Sequence, residues 1–177
     1  RNTKLPRTKP LMPLFEVISN SIHAINEAKK NKSLTGKGKI KIHLIRNGNE
    51  ETLKELDDVD IYPVKSILVT DNGIGLDDEN LGYFVESDTD HKIAIGGKGV
   101  GRFVCLKGFK KMVVNSRYAQ NGSFINRKFE FMPTKEGFHN YEESKEVKSK
   151  YLETKVLLSE FREEYQKEYK EFVLSEL

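Results

Sequence analysis

Three short stretches constrain where this chain turns from strand to loop to helix: Glu16-Val-Ile-Ser-Asn20-Ser21, Asp71-Asn-Gly73-Ile-Gly75 and Gly96-Gly-Lys98-Gly99-Val100-Gly101. The first lies in a run from Leu14 to about Lys30 whose apolar residues Phe15, Ile18, Ile22 and Ile25 recur at helical spacing. Glu16, Asn20, His23 and Glu27 fall on the opposite side of that helix. The second stretch closes the compact apolar strand Ser66-Ile-Leu-Val-Thr70, and its glycines permit a tight backbone path. The third opens a helix expected from Val100 to about Phe109.

The remaining elements are read from the same periodicities. Lys39 to Ile45 alternates polar and apolar residues as a half-buried strand does, and Asn47-Gly48 supplies a turn. Residues 50–63 are acidic and irregular, a loop or a short strand. A short helix is expected from Asp77 to Val85, with aspartates near its start to complement the helix dipole. Strand-like runs then appear at Lys111–Asn115, Ser123–Met132 and Thr154–Leu158, and a helical pattern dense in Glu and Lys at Phe161–Leu177. This order predicts an α+β fold, a two-layer sandwich with helices on one face of a mixed or antiparallel sheet. Residues 1–10, with two prolines and four basic residues, read as an extended arm. Residues 11–177 read as one domain, and the chain as a piece of a longer multidomain protein.

Composition narrows the partners. Of 177 residues, 30 are Lys or Arg and 27 Asp or Glu, and their interspersion makes the net +3 a solvated surface in place of a nucleic-acid groove. Nucleic acid is therefore expected only through domains outside this chain. No apolar run nears the roughly 20 residues that cross a bilayer, so no membrane partner is expected. The single cysteine, Cys105, sits in the apolar run Phe103–Leu106 as a buried thiol, which fits a reducing cytoplasm.

The residue types carry chemistry. Glu16 and Asn20, four apart on a helix, project from one face about a turn apart. An amide oxygen is a hard neutral ligand suited to magnesium, and a neighbouring carboxylate can orient and deprotonate a water. Asp71, accepting hydrogen bonds only when ionised, favours the exocyclic amine of adenine over the carbonyl of guanine. Gly73 and Gly75 let the backbone approach a flat base without a Cβ in the way. Amides freed by Gly96, Gly99 and Gly101 at a helix N-terminus form an anion site. Each feature alone has a plainer reading: a solvated helix face, a hairpin turn, a glycine loop.

Taken in order, Glu-x-x-x-Asn-Ser-x-x-Ala over 16–24, Asp-x-Gly-x-Gly over 71–75 and Gly-x-x-Gly-x-Gly over 96–101 resemble the GHKL superfamily of gyrase, the large heat-shock chaperone, histidine kinases and MutL. Glu153-Thr154-Lys-Val-Leu-Leu158 resembles that family's late strand. The resemblance spans about residues 11–160 and implies an ATP site between helices and sheet. It implies Glu16 as general base, Asn20 as magnesium ligand, Asp71 as reader of the adenine amine, and Gly73 and Gly75 beside the base. Lys98, Gly99, Val100 and Gly101 would meet the phosphates, and Thr154 would support Asp71 through hydrogen bonds. Residues 80–99 would form a lid, with Lys92 in it and Arg102 beside it as further phosphate contacts. The sequence departs from the family pattern at His23, where many hydrolysing relatives have Asp, and at Glu153, where they have Gly.

The expected function is a magnesium-dependent ATPase module that couples nucleotide state to lid closure and to association of two copies or neighbouring domains. A histidine-kinase-type phosphotransfer domain shares the fold, and a non-hydrolysing ATP sensor or scaffold would use the same residues. Glu16, four before Asn20, favours water activation.

Overall fold

A computed structural model describes residues 5–6, 9–48, 54–56, 59–85, 101–146 and 151–171. Helix α1, Met12–Lys30, starts with Pro13 in its first turn, where the missing N–H costs nothing, and ends with Lys29 and Lys30 against the negative end of its dipole. Strand β1, Ile40–Arg46, is followed by the small hairpin of β2, Lys54–Leu56, and β3, Val59–Ile61. Strand β4, Val64–Asp71, leads to α2, Asp78–Val85, and α3, Gly101–Gly108, precedes β5, Phe109–Gln120. Next come β6, Ser123–Phe131, β7, Phe138–Glu146, and β8, Glu153–Phe161, then a 3₁₀ turn at Glu163–Tyr165 and a short α4, Gln166–Lys170.

The main sheet has six strands in the order β1-β4-β8-β5-β6-β7, and every described pairing in it is antiparallel. The helices cover one face, which gives the two-layer α+β architecture expected from the element order. The late strand β8 inserts between β4 and β5, so residues more than eighty positions apart become cross-strand neighbours.

The register sorts the covered face into rows. One runs Leu44, Ile67, Leu158, Met112, Phe131, Phe138 across the six strands, and the next runs Ile42, Val69, Val156, Val114, Phe129. Both are apolar, and Ile67, Val69, Leu158, Val114 and Phe129 are at most 1% exposed. Aromatic contacts close the ends of the core: Phe84 of α2 packs on Phe129, Phe131 and Phe138, and Phe109 packs on Phe161 and Tyr169. The third row is different: Ile40, Asp71, Thr154, Ser116, Arg127, Glu143. Four of its side chains, Asp71, Thr154, Ser116 and Arg127, are polar and buried.

The elements depart from the sequence expectations in three places. Helix α1 buries Leu14, Val17, Ser21, Ile25 and Ala28, while Phe15 and Ile22 stay about half exposed. Its buried stripe thus keeps Ile25, with Ile18 packed at its edge, but leaves out Phe15 and Ile22, and the small Ala24 lets the helix approach the β4 loop. Strand β7 carries no strand signal in its sequence: Phe-His-Asn-Tyr-Glu-Glu-Ser-Lys-Glu is exposed along most of its length, as charged edge strands are. The C-terminal helix starts later than its charge pattern implies, since Phe161 ends β8 and a 3₁₀ turn comes before Gln166; Tyr165 and Tyr169, four apart, are buried there, and residues 172–177 of the expected helix lie outside the described residues. The amino-terminal arm is anchored: Leu5 is buried in the core, Tyr165 donates to the Leu5 carbonyl at 2.7 Å, and Tyr169 donates to the Pro10 carbonyl. No helix among the described residues is long and apolar enough to cross a membrane.

Phe109 is fully buried, edge-on to Phe161 with ring centroids 5.3 Å apart and tilted on Tyr169 at 4.7 Å. Phe109→Ala is expected to cost about 3–5 kcal/mol in urea unfolding. A loss below about 1 kcal/mol would contradict this packing.

Candidate functional site

The polar row ends where α1 crosses β4. Asp71, the last residue of β4, is 5% exposed, and both its oxygens are engaged. Ser21 of α1 donates to Oδ2 at 2.8 Å, and the Gly73 amide donates to Oδ1 at 2.8 Å. Burial raises the Asp71 pKa above the usual carboxylate range, and the bonds from Gly73 and Ser21 oppose that rise. An ionised carboxylate offers about four acceptor positions. Two are used here, which leaves capacity for a further donor.

Residues 72–76 are wedged between helix and sheet. The Ile74 amide donates to the Ala24 carbonyl of α1 at 3.0 Å, and the Leu76 amide to Ser116 Oγ of β5 at 2.8 Å. Ser116 Oγ also shares a 2.9 Å hydrogen bond with Thr154 Oγ1. Asn72 accepts from the Lys39 amide at 2.7 Å and donates to the Lys37 carbonyl at 3.0 Å, fixing the approach to β1. The glycines are required by this packing. A Cβ on Gly73 would fall 2.5 Å from Ala24 Cβ and 2.8 Å from the Ile25 nitrogen. Gly75 has φ +86°, and a Cβ there would lie 2.9 Å from Tyr118 Cβ. Room for a ligand is thus not what demands glycine at these positions; the close approach of α1 and β5 is.

The helix carries its polar residues toward this loop. Ala24 touches Gly73, Asn20 is one turn earlier and exposed, and Glu16 is one turn earlier again and half-buried. Glu16 lies close enough to α3 for its charge to add to the burial that raises the Cys105 thiol pKa. That thiol is fully covered and donates to the Pro13 carbonyl, a structural role. Beyond Ala24, Glu27 has its pKa raised by burial and then by the nearby charges of Asp77 and Glu79. His23 is exposed.

Of the residues singled out in the sequence, Asp71, Gly73, Gly75 and Thr154 meet at one place, with Asn20 and Glu16 on the flank of α1 that leads to it. Thr154 is the cross-strand partner of Asp71, but its hydroxyl is bonded to Ser116. Gly101 is the first residue of α3. Lys92, Lys98, Gly99 and Val100 lie outside the described residues, as does the part of the expected lid from residue 86 on. Among the described residues no group of three or more His, Cys, Asp and Glu side chains could hold a metal ion. The amide oxygen of Asn20, exposed on α1, is a hard neutral donor of the kind that holds magnesium when water and phosphate complete the shell.

Sequence reasoning missed Ser116 and Arg127, and it carried Ser21 and Ala24 in the first motif without a contact for either. The signal exists for three of them: Ser21 stands on the stripe of Val17 and Ile25, Ser116 alternates with Met112, Val114 and Tyr118, and Arg127 with Phe129 and Phe131. A polar residue in phase with a buried apolar run needs a buried partner.

No protein-family model and no curated protein matches the chain. Among solved structures, the ATPase region of Saccharomyces cerevisiae topoisomerase II is similar at 17% identity and a TM-score of 0.42, over 54% of this chain and 29% of that one. This chain thus spans under a third of that structure's length. The match is weak and partial.

The ionised carboxylate of Asp71 is a cost to the folded state. Because its folded pKa is raised above the unfolded 3.8, the folded state holds its proton more tightly, and stability falls as pH rises through the interval between the two values. Asp71→Asn is expected to unfold at pH 7 at a urea midpoint equal to or above that of the parent, with the difference closing toward pH 3.8. A lower midpoint for the variant at pH 7 would show that the Ser21 and Gly73 bonds outweigh desolvation.

Proposed function

We propose that this chain is an ATP-binding and ATP-hydrolysing module of GHKL type, in which magnesium-ATP lies between α1 and the polar row of the sheet. The observation that carries the reading is the Asp71 carboxylate: buried at the junction of α1 and β4, oriented by Ser21 and Gly73, and still able to accept a hydrogen bond. An acceptor-only group held in this way selects an amino-bearing purine edge. Gly73 and Gly75 would flank the base, and Thr154 would hold Ser116 and so the turn at Leu76.

At the other end of the same helix face, Asn20 would hold magnesium and Glu16 would act on the attacking water. Magnesium, when bound, would neutralise charge developing on the phosphates. The carboxylate of Glu16 would orient the water and take its proton, and Lys98, Gly99, Val100 and Gly101 would cradle the triphosphate as residues 80–99 close over it. We take residues 11–177 as one ATP-binding unit of a longer cytoplasmic protein, with ATP-dependent association of two copies as its output.

Glu16→Ala is expected to keep ATP affinity while phosphate release falls about a hundredfold or more. Unchanged release would remove Glu16 from the role of base. Asp71→Ala is expected to lose ATP binding in an equilibrium titration, and an unaltered titration would refute the base-reading assignment. Radiolabelled ATP separates the chemistries: label in free phosphate marks a hydrolase, and label on protein a phosphotransferase.

A further inference from the structure

Arg127 is the least expected member of the polar row. Its side chain is 2% exposed, although it carries a full charge whose desolvation is costly. The guanidinium is spent on three elements at once. Nη1 donates to the Leu76 carbonyl at 2.7 Å, Nη2 to Asp78 Oδ1 at 2.5 Å, and Nη2 and Nε to Glu143 Oε2 at 2.8 and 3.2 Å. The Tyr118 ring lies 4.9 Å from its central carbon and the Tyr141 ring 6.0 Å away. Asp78 and Glu143 are far more exposed than the arginine, at 71% and 40%, so the pairing draws a buried cation toward two solvated anions.

What this fork holds is the far end of the Asp71 loop. The Leu76 amide is taken by Ser116 and the Leu76 carbonyl by Arg127, so both backbone polar groups of one residue are fixed by sheet side chains. Leu76 follows Gly75, whose φ of +86° sets the turn, and precedes α2, whose first residue Asp78 is the second arginine partner. Arg127, Ser116, Thr154 and Asp71 are successive neighbours across the strands. The apolar rows of the core do not need the arginine.

We propose that Arg127 is a positioning residue for nucleotide binding: it clamps Leu76 and the start of α2, and thereby holds the Gly73–Gly75 turn in the shape that receives the purine. The inference rests on the ATP-site reading for its ligand, but the clamp has a signature of its own. Lysine can keep the charge, yet one ammonium cannot reach three partners as a planar fork does.

The test compares the parent chain with Arg127→Lys and Glu143→Gln by hydrogen exchange and by ATPase kinetics. In Arg127→Lys the Leu76 amide is expected to exchange at least about tenfold faster while β8 amides keep their rates. The KM for ATP is expected to rise about tenfold with kcat within about twofold, and Glu143→Gln to fall between. Unchanged Leu76 exchange in folded Arg127→Lys, or a fall in kcat at constant KM, would overturn the proposal. If the parent chain binds no ATP, the site reading fails by itself, and the exchange arm still decides the clamp.

Discussion

A carboxylate buried at the end of a central strand must find partners, and in this fold its partners come from a helix fifty residues earlier and from the turn just after it. Satisfying Asp71 dictates how α1 lies on the sheet. The helix turns Ser21, not Phe15 or Ile22, toward β4, and its Ala24 carbonyl takes the Ile74 amide. That rotation in turn places Asn20 and Glu16 on the flank facing the loop. One hydrogen-bond requirement therefore sets the orientation of the only described helix that carries an acid and an amide one turn apart.

The covered face divides into apolar rows and one polar row. Two apolar rows, anchored by residues such as Ile67, Val69, Leu158 and Val114, supply the burial that stabilises the sheet. In the third row Asp71, Ser116 and Arg127 bond to the loop after β4 instead, while Thr154 bonds to Ser116 and Glu143 to Arg127. Partly satisfied polar networks are costly, which is why each of these groups has a partner on a different element. Topology makes the row possible, because only the insertion of β8 between β4 and β5 brings Thr154 beside both Asp71 and Ser116.

The elements most legible in the sequence are those with strong periodicity or glycine punctuation: α1, β1, β4 and the Asp71 loop. The orientation of α1 is half legible: of the apolar stripe Phe15, Ile18, Ile22 and Ile25, Ile25 is buried and Ile18 packs on the core, whereas Phe15 and Ile22 are exposed because the helix turns Ser21 and Ala24 to the β4 loop. Strand β7 escapes notice because an exposed edge strand need not alternate, and the terminal helix is started too early because Glu-Lys spacing scores helix without any need to bury it. The site is half legible. Acid and glycine announce the loop, but the residues that hold it, Ser21, Ser116 and Arg127, lie on strands and helices whose patterns look apolar until cross-strand register is known. What the glycines mark in the structure is the close approach of Ala24 to Gly73 and of Tyr118 to Gly75.

The central claim is that α1, the Asp71 loop and β8 form one purine-reading pocket. Backbone amide chemical-shift mapping with magnesium-ATP tests it most directly. The account predicts that Asn20, Ser21, Gly73, Ile74 and Thr154 shift together, and that GTP at the same concentration leaves them nearly unmoved. Shifts confined to the uncovered face of the sheet, or equal responses to ATP and GTP, would contradict it.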